Sequence, residues 1–172
     1  MILKVINHDF IYDMKNLCTV FFPWEKIKDG GEDNIEVETK AQGNEFSVCA
    51  RLFDKEISKT HILKEGEDAQ TKMSVLLYNV LSELTGFKPP WGILFGVRSA
   101  KLMHRFANEM GEQAAREYFI NNFLATPQKT DLAIEVMHHE NKIISLSSHN
   151  SFSLYVSIPF CPTRCAYCSF VS

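Results

Sequence analysis

The clearest hydrophobic pattern in the chain is an alternation of apolar and polar side chains over residues 35–40 and 46–53, interrupted by Gln42-Gly43-Asn44. Such alternation is typical of strands with one buried face, and a glycine-asparagine pair favours a tight turn. We therefore predict a β-hairpin over residues 35–53.

Shorter apolar runs precede the hairpin, over residues 2–6, 10–12 and 17–22, and the last of them stops at Pro23. These runs predict short strands, so that residues 1–60 form a β-rich part. The polar, glycine-containing residues 29–34 predict an exposed turn before the hairpin.

The hydrophobic period becomes helical from residue 65. Apolar side chains recur at the spacing of a core-facing helix, at Met73, Leu76, Leu77, Val80, Leu81 and Leu84. Gly86 and Pro89-Pro90 should end this helix, and its stripe should pack on the apolar face of the hairpin. Three more helices are predicted, over residues 99–110, 112–124 and 127–143, the last beginning at Thr126-Pro127.

These elements predict an α+β fold in which an antiparallel sheet packs against about four helices. The domain would cover residues 1–150, with a β-rich part at 1–60 and a helical part at 65–144. Residues 145–151 are small and polar and predict a linker to a second segment, residues 151–172.

The second segment carries the chemistry that the sequence shows most plainly. Leu154, Val156 and Ile158 alternate with polar residues, which predicts a strand over residues 153–158 that ends at Pro159. Cys161, Cys165 and Cys168 follow at the spacing CxxxCxxC. Three thiolates on one short loop make a metal ligand set.

Three kinds of site use cysteines in this way. Structural zinc requires four closed ligands, and no second pair follows Cys168. A redox dithiol would use Cys165 and Cys168 but leaves Cys161 unexplained. An iron-sulfur cubane held by three cysteines leaves one iron open to a chelating cosubstrate.

The residues around the cysteines resemble a known superfamily. The run Tyr155-x-x-Ile158-Pro-Phe-Cys-x-x-x-Cys-x-Tyr-Cys168-x-Phe170 is similar to the radical S-adenosylmethionine (SAM) superfamily, and within it to the oxygen-independent coproporphyrinogen III oxidase-like branch of the HemZ type. Residues 90–102 resemble the same type. The branch often has histidine two residues after the motif tyrosine, where this chain has Ser157.

The resemblance implies that Cys161, Cys165 and Cys168 hold a [4Fe-4S] cluster that binds SAM at its open iron. It places Tyr155, Tyr167 and Phe170 in the vicinity of SAM. Residues 151–172 would then be the first strand and the cluster loop of a partial (β/α) barrel, truncated here, so that this chain alone should be inactive.

For the whole protein, the resemblance implies an oxidoreductase that decarboxylates two propionates of coproporphyrinogen III to give protoporphyrinogen IX in haem biosynthesis. Its partners would be a tetrapyrrole substrate and an electron donor. Two alternatives stay open: a haem-binding or haem-transfer relative, and an accessory module that binds a partner protein or RNA.

Composition and charge narrow the classes of partner and the cellular compartment that we expect for this protein. Among 172 residues, 45% are hydrophobic and 23% charged, and the net charge of −3 gives no general attraction to nucleic acid or to anionic membranes. No run has the length of a membrane span, and no signal sequence is evident, so we expect a cytoplasmic protein. An odd count of five cysteines, three of them clustered, argues against a disulfide framework.

One basic stripe is a further candidate. Arg98, Lys101 and Arg105 would share one face of the second helix, with His104 beside them and no acid before Glu109. Such a stripe can bind propionates, an acidic partner or RNA phosphates, or it can be an ordinary solvated face.

Other residues favour structural roles. Glu135, His138 and His139 have a spacing that can hold a metal, but adjacent histidines do not readily face one site. Trp91 is expected to fill a gap between helices, and Cys18 and Cys49 to be small apolar residues in strand-like runs, with Cys49 on the more polar side of the hairpin.

Overall fold

A computed structural model of the chain describes residues 1–28, 30–158, 160–163, 165–166 and 168. The strands are β1 (Ile2–Ile6), β2 (Ile35–Gln42), β3 (Glu45–Leu52) and β4 (Lys55–Ile62). The helices are α1 (Ile11–Phe21), α2 (Ala69–Thr85), α3 (Ser99–Met110), α4 (Glu112–Asn121) and α5 (Pro127–Ile144). The α+β class predicted from the sequence is confirmed.

The four strands form one sheet in the order β1-β2-β3-β4. The predicted hairpin is present, with β2 antiparallel to β3 and Thr39 opposite Val48. The sheet is mixed rather than fully antiparallel, because β1 runs parallel to β2. A parallel pair needs a crossover connection, and α1 provides it.

The prediction of short strands over residues 10–12 and 17–22 was wrong, because residues 11–21 form helix α1. Its buried residues, Met14, Leu17, Cys18 and Phe21, recur at the spacing of a helical face. This makes five helices among the described residues instead of about four. Cys18 is a small buried residue, as predicted, although it lies on a helix, and burial raises the pKa of its thiol to about 12.

Helix α2 packs on the sheet, as the apolar stripe predicted. It contacts β3 and β4, and its side chains join those of α1 and the sheet in one core. Asp68 accepts a hydrogen bond from Thr71 N at 2.8 Å and caps the start of the helix. Gly86 ends it in the left-handed conformation, with φ 74°.

Both edge strands of the sheet contact other parts of the chain. Beyond β1, Lys28 N donates to Met1 O at 2.9 Å, and Leu3 N donates to Lys28 O at 3.3 Å. On β4, Lys55 Nζ donates to the carbonyl oxygens of Glu83 and Leu84 at the end of α2, at 3.0 and 3.2 Å.

A second core lies among α3, α4 and α5. Its centre is a set of edge-to-face and stacked rings, Phe106, Tyr118, Phe119 and Phe123. Trp91 packs against this core, with Lys129 Nζ 5.6 Å from the centre of its indole ring, which confirms the predicted packing role.

The loop after α4 is held at several points. Helix α4 ends at Asn121 rather than at the predicted residue 124, and Leu124 has a left-handed φ of 58°. Ile93 N donates to Phe123 O at 2.9 Å, and Thr126 N donates to Pro90 O at 2.9 Å. Gly92, with φ 60°, lies so close to the backbone of this loop that an added Cβ would be 1.9 Å from Phe123 O.

The chain divides into two compact units, Met1–His138 and His139–Ser172. The first contains the sheet and both cores. The second begins with the last turns of α5, and its residues 151–158 form neither a helix nor a strand. The proposed boundary at residue 150 stays a prediction. No described helix is long and apolar enough to cross a membrane.

Candidate functional site

The segment that leads to the cysteines has no regular secondary structure, and its side chains face solvent. Leu154, Tyr155, Val156 and Ile158 are each between 74% and 80% exposed. The strand predicted over residues 153–158 is therefore not formed here. A strand requires a hydrogen-bonded neighbour, and no described strand pairs with this segment.

The cysteines have little surrounding structure. Cys161 and Cys165 are exposed and Cys168 is half-buried, and none is in a disulfide. Cys168 N donates to Cys165 O at 3.0 Å, which closes a tight turn between the last two cysteines. That turn brings the ends of the CxxC part together.

The chemistry of this donor set fits an iron-sulfur cluster, because thiolates are the usual cluster ligands. The cysteine side chains are not arranged as a metal site, because among the described residues no group of three or more histidines, cysteines or carboxylates is placed to hold a metal. Of the residues expected near SAM, Tyr155 is 80% exposed, whereas Tyr167 and Phe170 lie outside the described residues.

The basic stripe on α3 is a second candidate. Arg98, Lys101 and Arg105 are exposed and line an open cleft of about 370 Å³ together with Val97 and Leu102. Arg105 forms a loose pair with Glu109 at 3.8 Å. Arg98 and Lys101 pair with no carboxylate in the part of the chain that the structure describes. The stripe thus has free positive charge.

His104 and His138 add no ligand to the cysteine loop or to the basic stripe, because each is hydrogen-bonded elsewhere. His104 Nδ1 is hydrogen-bonded to Asn108 Nδ2 at 3.1 Å within α3. His138 Nε2 lies 2.6 Å from Glu112 Oε2 and so links α5 to α4. Cys49 is half-buried on β3, on the polar side of the hairpin as expected, and burial and nearby Glu56 raise its pKa.

A third cleft was not predicted from the sequence. It lies between α2, strand β4 and the loop after α4, has a volume of about 540 Å³, and is lined in part by Ser82. Ser82 is only 6% exposed, and its hydroxyl is shielded from solvent beside the phenol of Tyr78. Its lining residues range from 59 to 126 and come together only in the folded unit.

Comparison with known proteins gives one informative result. The chain is 28% identical over 176 aligned positions to the oxygen-independent coproporphyrinogen-III oxidase-like protein HemZ of Bacillus subtilis (strain 168). The alignment covers 91% of this chain and 34% of that protein, so the chain spans about a third of the relative's length. No family model matches, and no solved structure matches.

This similarity confirms the resemblance inferred from the cysteine loop. It extends over 91% of the chain and so includes most of the α+β unit. The coverage is consistent with the N-terminal portion of a HemZ-type protein.

Proposed function

We propose that this chain is the N-terminal part of a cytoplasmic radical SAM enzyme of the oxygen-independent coproporphyrinogen III oxidase-like branch. The whole protein would oxidatively decarboxylate coproporphyrinogen III to protoporphyrinogen IX. The observation that carries the proposal is the CxxxCxxC loop in a chain that is similar to HemZ over 91% of its length.

In this proposal Cys161, Cys165 and Cys168 are the three protein ligands of a [4Fe-4S] cluster. When bound, the cluster supplies one electron, received from an electron donor, for reductive cleavage of SAM. Tyr155, Tyr167 and Phe170 would line the SAM site. The exposure of Cys161 and Cys165 is in keeping with thiols that are reached by iron and then covered by the rest of the protein.

The first unit would be an accessory domain that folds without the barrel, because its two cores are both closed by its own side chains. The cysteine segment lacks such support. Its apolar side chains are exposed, and they would pack when further strands of the barrel lie beside them. The 172-residue chain alone should therefore cleave no SAM.

The test uses the full-length protein, reconstituted with iron and sulfide without oxygen. We expect about four irons per chain and production of 5′-deoxyadenosine from SAM with a reductant. Cys165→Ala should abolish both. Cys49→Ala is the matched control, because Cys49 is a half-buried free thiol outside the loop. Undiminished 5′-deoxyadenosine from a variant lacking all three loop cysteines would refute the ligand assignment.

The substrate is tested separately on the same reconstituted protein. Conversion of coproporphyrinogen III to protoporphyrinogen IX supports the oxidase. Stoichiometric haem binding without this conversion would instead support a haem-transfer relative.

A second candidate function rests on the free positive charge of Arg98 and Lys101, which favours a module that binds an anionic partner such as RNA. Binding to phosphates would weaken steeply with added salt and with Lys101→Gln. Lys142→Gln, on α5, is a control that changes net charge equally outside the stripe. Absence of RNA binding at low salt would eliminate this candidate.

A further inference from the structure

Residues 152–158, which precede the cysteines, are a run of exposed apolar side chains. The large apolar members of the run are each between 74% and 87% exposed: Phe152, Leu154, Tyr155, Val156 and Ile158. Folded proteins rarely leave contiguous apolar surface open to water, and where they do, the surface often marks an interaction site.

The backbone of this segment is open as well. Among the described residues, residues 152–158 make no backbone hydrogen bond. The segment contains no proline, so every residue in it can both donate and accept. It also has no charged side chain and no glycine, and phenylalanine, tyrosine, valine and isoleucine favour strands. A run of seven residues with these properties is typical of strands that pair with copies of themselves.

The order of the apolar residues suits an antiparallel pair of two such segments, centred on Tyr155. In that register Phe152 lies opposite Ile158 of the second copy, and Leu154 lies opposite Val156. Because side chains alternate along a strand, these four positions share one face of the pair. That face is wholly apolar, and its cross-strand neighbours are aromatic and branched side chains, which stabilise a pair of strands.

The other face of the same pair carries only hydroxyl-bearing side chains. Ser153 lies opposite Ser157 of the second copy, and Tyr155 lies opposite itself. No like charges oppose one another, because the segment has none. Each copy therefore presents the same self-complementary strand, as a two-fold interface requires.

The antiparallel direction is favoured over the parallel one by the bulk of the preceding chain. A parallel, in-register pair would start both strands at the same end, about 4.8 Å apart. The first unit, Met1–His138, precedes each strand, and a domain of that length is about 30 Å or more across. Two copies would crowd one another there, whereas an antiparallel pair starts its strands at opposite ends.

We propose that residues 152–158 form an antiparallel β-pair with the same residues of a second copy of this chain. The interface is independent of the cluster proposed above, because the segment contains no cysteine. In the whole protein, the strands of the proposed barrel would compete for the same backbone groups.

The test is sedimentation equilibrium of the 172-residue chain, with a reductant and a chelator that exclude disulfides and bound metal. Two double variants have opposite expected results. Ser153→Lys with Ser157→Glu places each lysine opposite a glutamate in the antiparallel register, and like opposite like in a parallel one. Ser153→Lys with Ser157→Lys places lysine opposite lysine in both registers.

We expect the native chain to pass from one to two chains per particle at about 100–500 µM, because a two-stranded pair is only marginally stable in water. The lysine-glutamate variant should associate at least as tightly. The lysine-lysine variant should have a dissociation constant about tenfold higher or more. Asn121→Lys with Gln128→Lys, at two exposed positions of the first unit, changes the net charge equally and should leave association unchanged.

A second measurement locates the contact. In a mixture of isotope-labelled and unlabelled chains, nuclear Overhauser effects should join the methyl groups of Leu154 in one copy to those of Val156 in the other. The proposal is overturned if the native chain stays monomeric at about 500 µM, if the two variants of the segment associate equally, or if the lysine-glutamate variant is the weaker. Association without the contact between Leu154 and Val156 would also overturn it.

Discussion

Gly92→Ala should destabilise the first unit far more than an ordinary glycine substitution. Gly92 is buried, with φ 60°, and a Cβ added to it would be 1.9 Å from Phe123 O and 2.5 Å from the carbonyl carbon of Leu124. Real Cβ atoms essentially never approach other atoms closer than 3.0 Å, so this backbone would have to move by about an ångström.

The expected cost has two parts. A left-handed conformation costs an alanine about 1 kcal/mol relative to glycine. Displacing the loop after α4 also weakens its two backbone hydrogen bonds, from Ile93 N to Phe123 O and from Thr126 N to Pro90 O, at about 1 kcal/mol each, and loosens the packing of Phe123. The total is about 3–5 kcal/mol, a large share of the stability of a typical domain.

Gly43→Ala provides a matched control. Gly43 has the same φ of 60°, in the turn between β2 and β3, but nothing lies within 4 Å of an added Cβ. It should therefore lose only the conformational part, about 1 kcal/mol. The difference between the two variants measures the steric part alone.

Urea unfolding followed by circular dichroism measures both variants. With a denaturant dependence of about 2 kcal/mol/M, the midpoint should fall by about 2 M for Gly92→Ala and about 0.5 M for Gly43→Ala. Equal losses would show that the loop of residues 122–126 yields to the methyl group. The idea that this loop is held in place by its hydrogen bonds would then be wrong.

Three further substitutions test local features of the first unit. Asp68→Ala should lower the free energy of unfolding by about 1 kcal/mol in urea melts, because the cap on Thr71 N is lost; no change would mean that the cap is dispensable. Phe53→Asn should raise the free energy of unfolding by up to about 1 kcal/mol, because an exposed phenylalanine with φ 52° is strained, whereas asparagine tolerates this conformation. A decrease in the free energy of unfolding would contradict this reasoning. Burial lowers the pKa of His8, whose Nε2 is 3.0 Å from Thr39 Oγ1, so the unfolded chain binds a proton at a higher pH than the folded chain does. The free energy of unfolding should therefore decrease as the pH falls from about 6.5 through the lowered pKa. His8→Asn should remove this slope in pH-dependent melts, and an unchanged slope would exclude His8 as its source.

The sequence predicted those elements whose hydrophobic period is unambiguous. The hairpin and α2 both have one strict apolar face, and their bounds agree with the structure to within a few residues. Helix α1 was missed because residues 17–22 are mostly apolar, and a short apolar run is also typical of a buried strand. The helical spacing of its buried residues was overlooked.

Other features depend on tertiary context that no local pattern contains. Strand β4 has few apolar residues and is defined by its pairing with β3, where Ala50 lies opposite Ile57. The Ser82 cleft combines residues from four places along the chain. Conversely, the cysteine motif was evident from spacing alone, whereas the described residues contain no group of three or more side chains placed to hold a metal. No described strand lies beside the segment that carries the cysteines.

The contacts at the edge strands of the sheet have a consequence for solution behaviour. An uncovered edge strand can pair with the same strand of another molecule and start aggregation. Here the backbone of Lys28 occupies part of the outer side of β1. The other edge, β4, carries Lys55 and Lys59, which are tied to the end of α2. An incoming strand would have to accommodate these charges, so replacing both lysines with valine should increase self-association through β4.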